Sequence, residues 1–182
     1  IESGMSIAAG GFLSQGDPLM LLRALNDTDV RDLTFYAICG GVGERGIVEL
    51  VRSGKVRKLV ASHIGTTPGV IQAFHDGEIE VELVPQGTLA ERLRCGGAGL
   101  GGFLTPTGVG TAVAEGKQHF EINGVTYILE QAIHADVALI RAFTGDYWGN
   151  LRYRGTAANL NHQCATCADH VIAEVQNVCS TG

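Results

Sequence analysis

The sequence predicts an α/β domain with a mainly parallel sheet flanked by helices and a few added antiparallel strands. Three observations carry this. Apolar strand-like runs alternate with helix-period segments four times in the first 94 residues, the sequence form of consecutive βα units. Glycine is abundant, 26 residues against 4 prolines, as tight βα turns require and as disorder does not. The 182 residues are 45% hydrophobic and 18% charged, which is enough to close a single core without a linker.

Residues 5–9 read as a buried strand. A helix over 18–26 places Leu19, Leu22 and Leu25 on one face, with Asp17 as its expected N-cap. Leu33–Cys39 is a second strand, followed by a helix from Glu44 to Ser53 that Gly54 stops. Val56–Ser62 is the third strand, and Thr67–His75 is a helix closed by Asp76-Gly77. In Ile79–Val84 apolar and acidic residues alternate, which marks a half-exposed strand near an edge. A helix over Thr88–Arg94 completes the fourth unit.

The pattern changes after Cys95, where Gly96–Gly102 holds almost nothing but Gly, Ala and Leu. His119–Ile122 and Val125–Leu129 flank Asn123-Gly124, a strong hairpin turn. Asp136–Phe143 is another buried strand, and a loop over Thr144–Asn150 leads to Leu151–Arg154. A short helix over Gln163–Ala168 and a strand over Val171–Val175 end the chain. No composition break divides residues 1–182, so one domain is expected.

The net charge of −6 and the absence of a Lys/Arg cluster argue against a nucleic-acid partner. No apolar run approaches the length of a membrane span. The 5 cysteines are odd in number and scattered, which fits a reducing cytoplasm.

The segment from Ser3 to Pro18 is the most informative. An apolar run ends in Gly10-Gly11, then come Phe12, Gly16, and Pro18 at a helix start. Backbone without Cβ atoms can approach a ligand closely. Read locally, the turn is either a plain βα connection or a cradle whose N–H groups face an anion or a carbonyl oxygen. Gln86-Gly87-Thr88 lies at the carboxyl end of the fourth strand, where parallel sheets bind ligands. Its Gln amide either caps the helix or reaches a ligand. His63 ends a strand and could reach a site there.

Other motifs carry less. Gly41-Val42-Gly43-Glu44-Arg45-Gly46 matches a dinucleotide fingerprint, yet no acidic residue lies about twenty positions on to hold a ribose. Glu44 inside the loop would also repel a pyrophosphate. Cys164 and Cys167 form C-x-x-C without a second ligand pair, so a packing role is expected and no metal.

Several segments together resemble the family I coenzyme A transferases, specifically the alpha half of the 3-oxoacid/acetate type. They are Ser3–Pro18; Val84-Pro85-Gln86-Gly87-Thr88-Leu89; Thr105-Pro106-Thr107-Gly108-Val109-Gly110-Thr111; Ala135–Ile140; and Trp148-Gly149-Asn150-Leu151. They occur in family order over almost the whole chain. The resemblance implies transfer of CoA between an acyl-CoA and a short carboxylic acid through a glutamyl-CoA thioester. The nucleophilic Glu is expected in a Ser-Glu-Asn-Gly motif of a partner chain, the beta half, so no catalytic residue is expected here. The implied substrate-binding residues are Gly10, Gly11, Phe12, Cys39, Gly40, Gln86, Gly87 and Thr88. No cofactor is implied beyond the CoA thioester as substrate, and an α2β2 assembly is implied. Family chains also extend further, so short terminal pieces are expected outside residues 1–182. Ile38-Cys39 stands where the family often has two Asn, which points to an altered acyl group. Two other readings stay open: a stand-alone nucleotide- or sugar-phosphate-binding enzyme on a related sheet, and a non-catalytic scaffold protein.

Overall fold

The computed structural model describes residues 1–181. The main sheet contains β1 (Ser6–Ala9), β2 (Leu33–Tyr36), β3 (Val56–Ala61), β4 (Glu80–Leu83), β8 (Ala135–Gly145), β9 (Leu151–Arg152) and β10 (Ala168–Val178). Its order is β10-β8-β1-β2-β3-β4, with β9 paired to β8. Every neighbouring pair along that path is parallel, and only β9 runs antiparallel. The helices are α1 (Leu19–Asn26), α2 (Ile47–Arg52), α3 (Pro68–His75), α4 (Gln86–Gly97) and α5 (Asn161–Cys164). A second, antiparallel sheet is built from β5 (Gly102–Thr105), β6 (His119–Ile122) and β7 (Val125–Gln131) in the order β5-β7-β6.

Alternation along the strands divides the core into two faces. Ile7, Ala9, Val137 and Leu139 point to one side and pack with Leu22, Leu50, Val51 and Val70 from α1, α2 and α3. Ala8, Ala138 and Ile140 point to the other and pack with Leu89, Leu93, Leu160, Cys164 and Cys167. The two thiols of the C-x-x-C pair are therefore core atoms. Burial pushes the Cys167 thiol up to about 12, and the Cys164 thiol well above its ordinary value.

The chain steps from β1 outward to β4, then returns to place β8 on the other side of β1. Strand order reverses at β1, and the crevice beyond its carboxyl end is where open parallel sheets accept ligands. The Gly10 turn sits there, its first N–H donating to Leu139 O at 3.0 Å across to β8.

Several boundaries differ from the sequence expectation, each for a packing reason. α4 runs from Gln86 through Gly97, and Gly96 lets its last turn lie against the carbonyl of Ile133, where a Cβ would fall 1.9 Å from the oxygen. β5 emerges from the glycine-rich stretch by pairing with β7. α2 begins at Ile47, since residues 40–46 are consumed in a turn, and β2 ends at Tyr36. The short helix covers Asn161–Cys164 instead of Gln163–Ala168, and the last strand is extended to Ala168–Val178 by pairing along β8. Asp17 is not the cap of α1: Pro18 holds that position and no side chain caps the helix. The Asn123-Gly124 hairpin forms as read, both residues at positive φ (52° and 77°).

The small sheet is tied to the main one by charge. Arg92 of α4 makes the link, donating to Gln131 O of β7 at 2.8 Å and contacting Glu82 of β4 at 3.2 Å; within the small sheet's own region Lys117 reaches the buried Glu130 at 2.5 Å. Crowding at the α4 terminus gives a sign-reversed pair of expectations. Gly96→Ala lowers stability by about 1–3 kcal/mol through overpacking. Gly87→Ala, with open space around its Cβ, is neutral or gains about 0.5–1 kcal/mol of helix propensity. Urea midpoints of the two variants check this.

Candidate functional site

The site is assembled from loops at the carboxyl ends of β1, β2, β3 and β4. The first, residues 10–16, folds back on itself through a Phe12–Gln15 bridge with Leu13 and Ser14 at positive φ (48° and 64°). It is pinned from outside. Gly11 N donates to Asn159 Oδ1 at 3.0 Å, and Asn159 Nδ2 donates to Gln15 O at 2.8 Å. Asn161, fully buried, donates to Gly16 O at 3.1 Å and accepts from Arg141 N at 2.9 Å. A Cβ at Gly10 would fall 1.9 Å from Asn161 Oδ1, so the glycine is demanded by the close approach.

This geometry changes what the turn can offer. The N–H groups of Gly10, Gly11 and Phe12 are all taken, by Leu139 O, Asn159 Oδ1 and Gln15 O. They are structural donors, and the turn's face toward the cleft is the Phe12 ring.

A second turn repeats the first. Gly40-Gly41-Val42-Gly43-Glu44-Arg45-Gly46 follows β2 as Gly10–Gly16 follows β1, with a Val42–Arg45 bridge matching Phe12–Gln15. Gly41 and Gly11 share the same unusual φ, 117° and 118°. The Gly41 carbonyl accepts from the hydroxyls of Thr66 (3.1 Å) and Thr67 (3.0 Å), which lock the loop from β3's side. The dinucleotide-like glycines thus build a closed turn. The repeated Gly-Gly-x-x-x-x-Gly spacing was the available signal for this pairing.

Between the turns and the start of α4 lies an open cleft of about 380 Å³, lined by Phe12, Ile38, Gln86, Gly87, Ala90, Asn159 and Leu160. Gln86 is exposed and does not cap α4. His63 approaches edge-on to Phe12, ring centroids 6.5 Å apart. Thr88 is buried and Gly40 packs against Val70. Cys39 is buried behind the cleft, its thiol directed at Gly41 O (3.6 Å). It shares a cavity of about 10 Å³ with Gly10, Gly11 and Asp17, room for about one water. Phe12, Gln86 and Gly87 therefore meet in the cleft, while Gly10, Gly11 and Cys39 form its backing.

Asp17 is the residue that sequence reading misplaced. Its carboxyl group packs on Gly11, where a Cβ would lie 1.9 Å from Oδ1. Burial pushes its pKa from 3.8 up to about 6, against the opposing pull of Arg141 and Arg45. Between those values the folded chain holds a proton that the unfolded chain releases. The associated stability is full below 3.8 and is lost as pH rises through about 6. Asp17→Asn removes this cost, gaining about 1–3 kcal/mol at pH 8 and little at pH 4. Denaturant midpoints of both proteins at the two pH values measure it.

Comparison with known proteins places this geometry. The coenzyme A transferase family model matches residues 1–182. The chain is 50% identical over 181 residues to the alpha subunit of the acetate CoA-transferase of Escherichia coli K12, covering 100% of this chain and 82% of that one. It is 44% identical over 179 residues to the alpha subunit of the acetoacetyl-CoA:acetate/butyrate CoA transferase of Clostridium acetobutylicum, with coverages of 98% and 82%. Among solved structures, a variant of the decarboxylase AibA/AibB superposes with a TM-score of 0.85 at 26% identity, over 100% of this chain and 72% of that one. Glutaconate coenzyme A-transferase from Acidaminococcus fermentans shares the fold, with a TM-score of 0.82 at 17% identity and coverages of 99% and 64%. A match over the full length, with transferase alpha chains as relatives, settles the family: this chain belongs to the coenzyme A transferases.

Proposed function

We propose that this chain is the non-nucleophilic half of a heteromeric transferase that moves CoA between an acyl-CoA and a short carboxylic acid. One observation carries the reading. The cleft at the strand ends is lined by apolar groups and two amides, Gln86 and Asn159, and by no carboxylate. Transfer through a glutamyl-CoA thioester needs a carboxylate nucleophile, so it must come from a second chain closing over this cleft. Two relatives are named as alpha subunits of CoA transferases, which supports a second subunit.

In this scheme the partner's Glu takes CoA from the acyl-CoA as a thioester, releasing the first acid. The incoming carboxylate then attacks that thioester and leaves with CoA. Phe12 and Ile38 wall the acyl group and exclude water. The Gln86 amide donates to the substrate carboxylate or to the oxyanion developing from it. Its exposure in the free chain suits a group that is covered only when the partner docks. Asn159 does not share this role, since its oxygen accepts Gly11 N and Leu160 N and its nitrogen donates to Gln15 O. Ile38 gives the pocket wall an apolar character, favouring acyl groups without a polar contact there. We place the assembly in the cytoplasm as an α2β2 complex, with no cofactor beyond the CoA carried by the substrate.

The test is reconstitution. The chain mixed with a partner carrying Ser-Glu-Asn-Gly transfers CoA, and the chain alone does not; turnover by the purified chain would overturn the assignment. An assembled but inactive pair would favour a scaffold role. Within the active pair, Gln86→Ala lowers kcat/KM about ten- to a hundredfold, with the assembly unchanged by size-exclusion chromatography. Unchanged turnover would remove Gln86 from the site.

A further inference from the structure

The Gly10–Gly16 turn has a second cavity on its opposite flank. It measures about 260 Å³, and its lining includes Ser14, Gln15, Arg141, Phe143, Tyr153 and Arg154. We propose that this cavity is a separate anion site, which holds an oxyanion carried by one of the two substrates away from the reacting carbonyl. The proposal rests on the transferase reading and adds a second anchoring point to it.

Charge balance is the first argument. Arg141 is compensated: its Nε lies 3.4 Å from Glu174 Oε1, and the other Glu174 oxygen accepts Met20 N at 2.9 Å. Asp17 also feels the Arg141 charge. Arg154 makes no ion pair among the described residues. Its guanidinium instead lies over the Phe143 ring, 5.0 Å from the centroid. Stacking fixes the plane of a guanidinium and leaves its N–H edge free for a two-oxygen acceptor. In a chain of net charge −6, an unpaired arginine in a concave wall is a local positive field for an anion to occupy.

The second argument is the supply of neutral donors. Leu13 and Ser14 form the tip of the turn, and their N–H groups meet no backbone oxygen. Ser14 lines this cavity together with Gln15 and Gln176. The same turn that closes its inner N–H groups against Asn159 therefore presents its tip here. The volume holds a phosphate or carboxylate group with its waters. Two sources share this chemistry: a phosphate of the CoA moiety, and the second carboxylate of a dicarboxylic acid.

The first readout needs no turnover. In the assembled complex, inorganic phosphate and, separately, succinate are titrated while the arginine Nε–H resonances of this chain are followed. Saturable shifts of the Arg154 and Arg141 signals, with binding weakened about tenfold in Arg154→Gln and partly recovered in Arg154→Lys, are expected. No saturable shift at tens of millimolar, or binding untouched in Arg154→Gln while its melting curve shows a folded protein, would overturn the site. Steady-state kinetics then separates the sources. A KM raised about tenfold for the CoA thioester alone assigns the phosphate. A KM raised for dicarboxylic acids but not for acetate assigns the second carboxylate. Both KM values unchanged would overturn a substrate role. Loss of the transferase reading is seen separately, as an assembled pair that binds phosphate and transfers no CoA.

Discussion

Two carboxamides, Asn159 and Asn161, hold the first βα turn against the end of β8, and the placement of the site depends on that contact. Each side chain works at several hydrogen bonds, and Asn161 is fully buried. A buried amide with its donors and acceptor all engaged has one acceptable orientation, because any other leaves polar atoms unpaired in a dry interior. The Gly10 Cα is pressed against Asn161, so the turn cannot drift. Phe12 is thereby aimed into one cavity and Ser14 into the other. A turn near the start of the chain is thus positioned by Asn159 and Asn161, near its end.

The turn also divides the work of its own backbone. Its inner N–H groups are spent on structure, which makes it a rigid wall between two cavities. Rigidity of this kind suits the proposed role, in which a second chain completes the site. The half-site must already be in position when the partner arrives, since ordering it on binding would cost affinity. The matching turn after β2, locked by Thr66 and Thr67, extends the wall by the same device. Asp17 is wedged beside both turns, and its raised pKa reflects how tightly they close around it.

The fold does not choose the chemistry. The decarboxylase AibA/AibB superposes on this chain as closely as glutaconate coenzyme A-transferase does. Chemistry on a shared fold is set by the side chains of the site, not by the fold. Here the cleft presents amides and apolar walls, which can orient a carboxylate or thioester but cannot attack one.

Local signals were enough to read the alternating strands and helices and the Asn-Gly hairpin. Apolar periodicity and turn chemistry act over a few residues and are written directly in the chain. Of the residues that the motif resemblance implied, Phe12, Gln86 and Gly87 line the cleft, while Gly10 and Gly11 do not. Tertiary structure alone decided the rest. Asp17 has the local pattern of a helix cap, and only packing from Gly11 and the second turn makes it a buried acid. β5, and the extension of β10 beyond Val171–Val175, exist because partners lie beside them, while the sequences there, opening on Gly102 or interrupted by polar residues, encode no strong preference. The pairing of Asn159 and Asn161 with a turn about 145 positions away, and the cavity where Ser14 meets Arg154, are products of the crossover that sets β8 beside β1. Such contacts are set by topology, which no local spacing specifies.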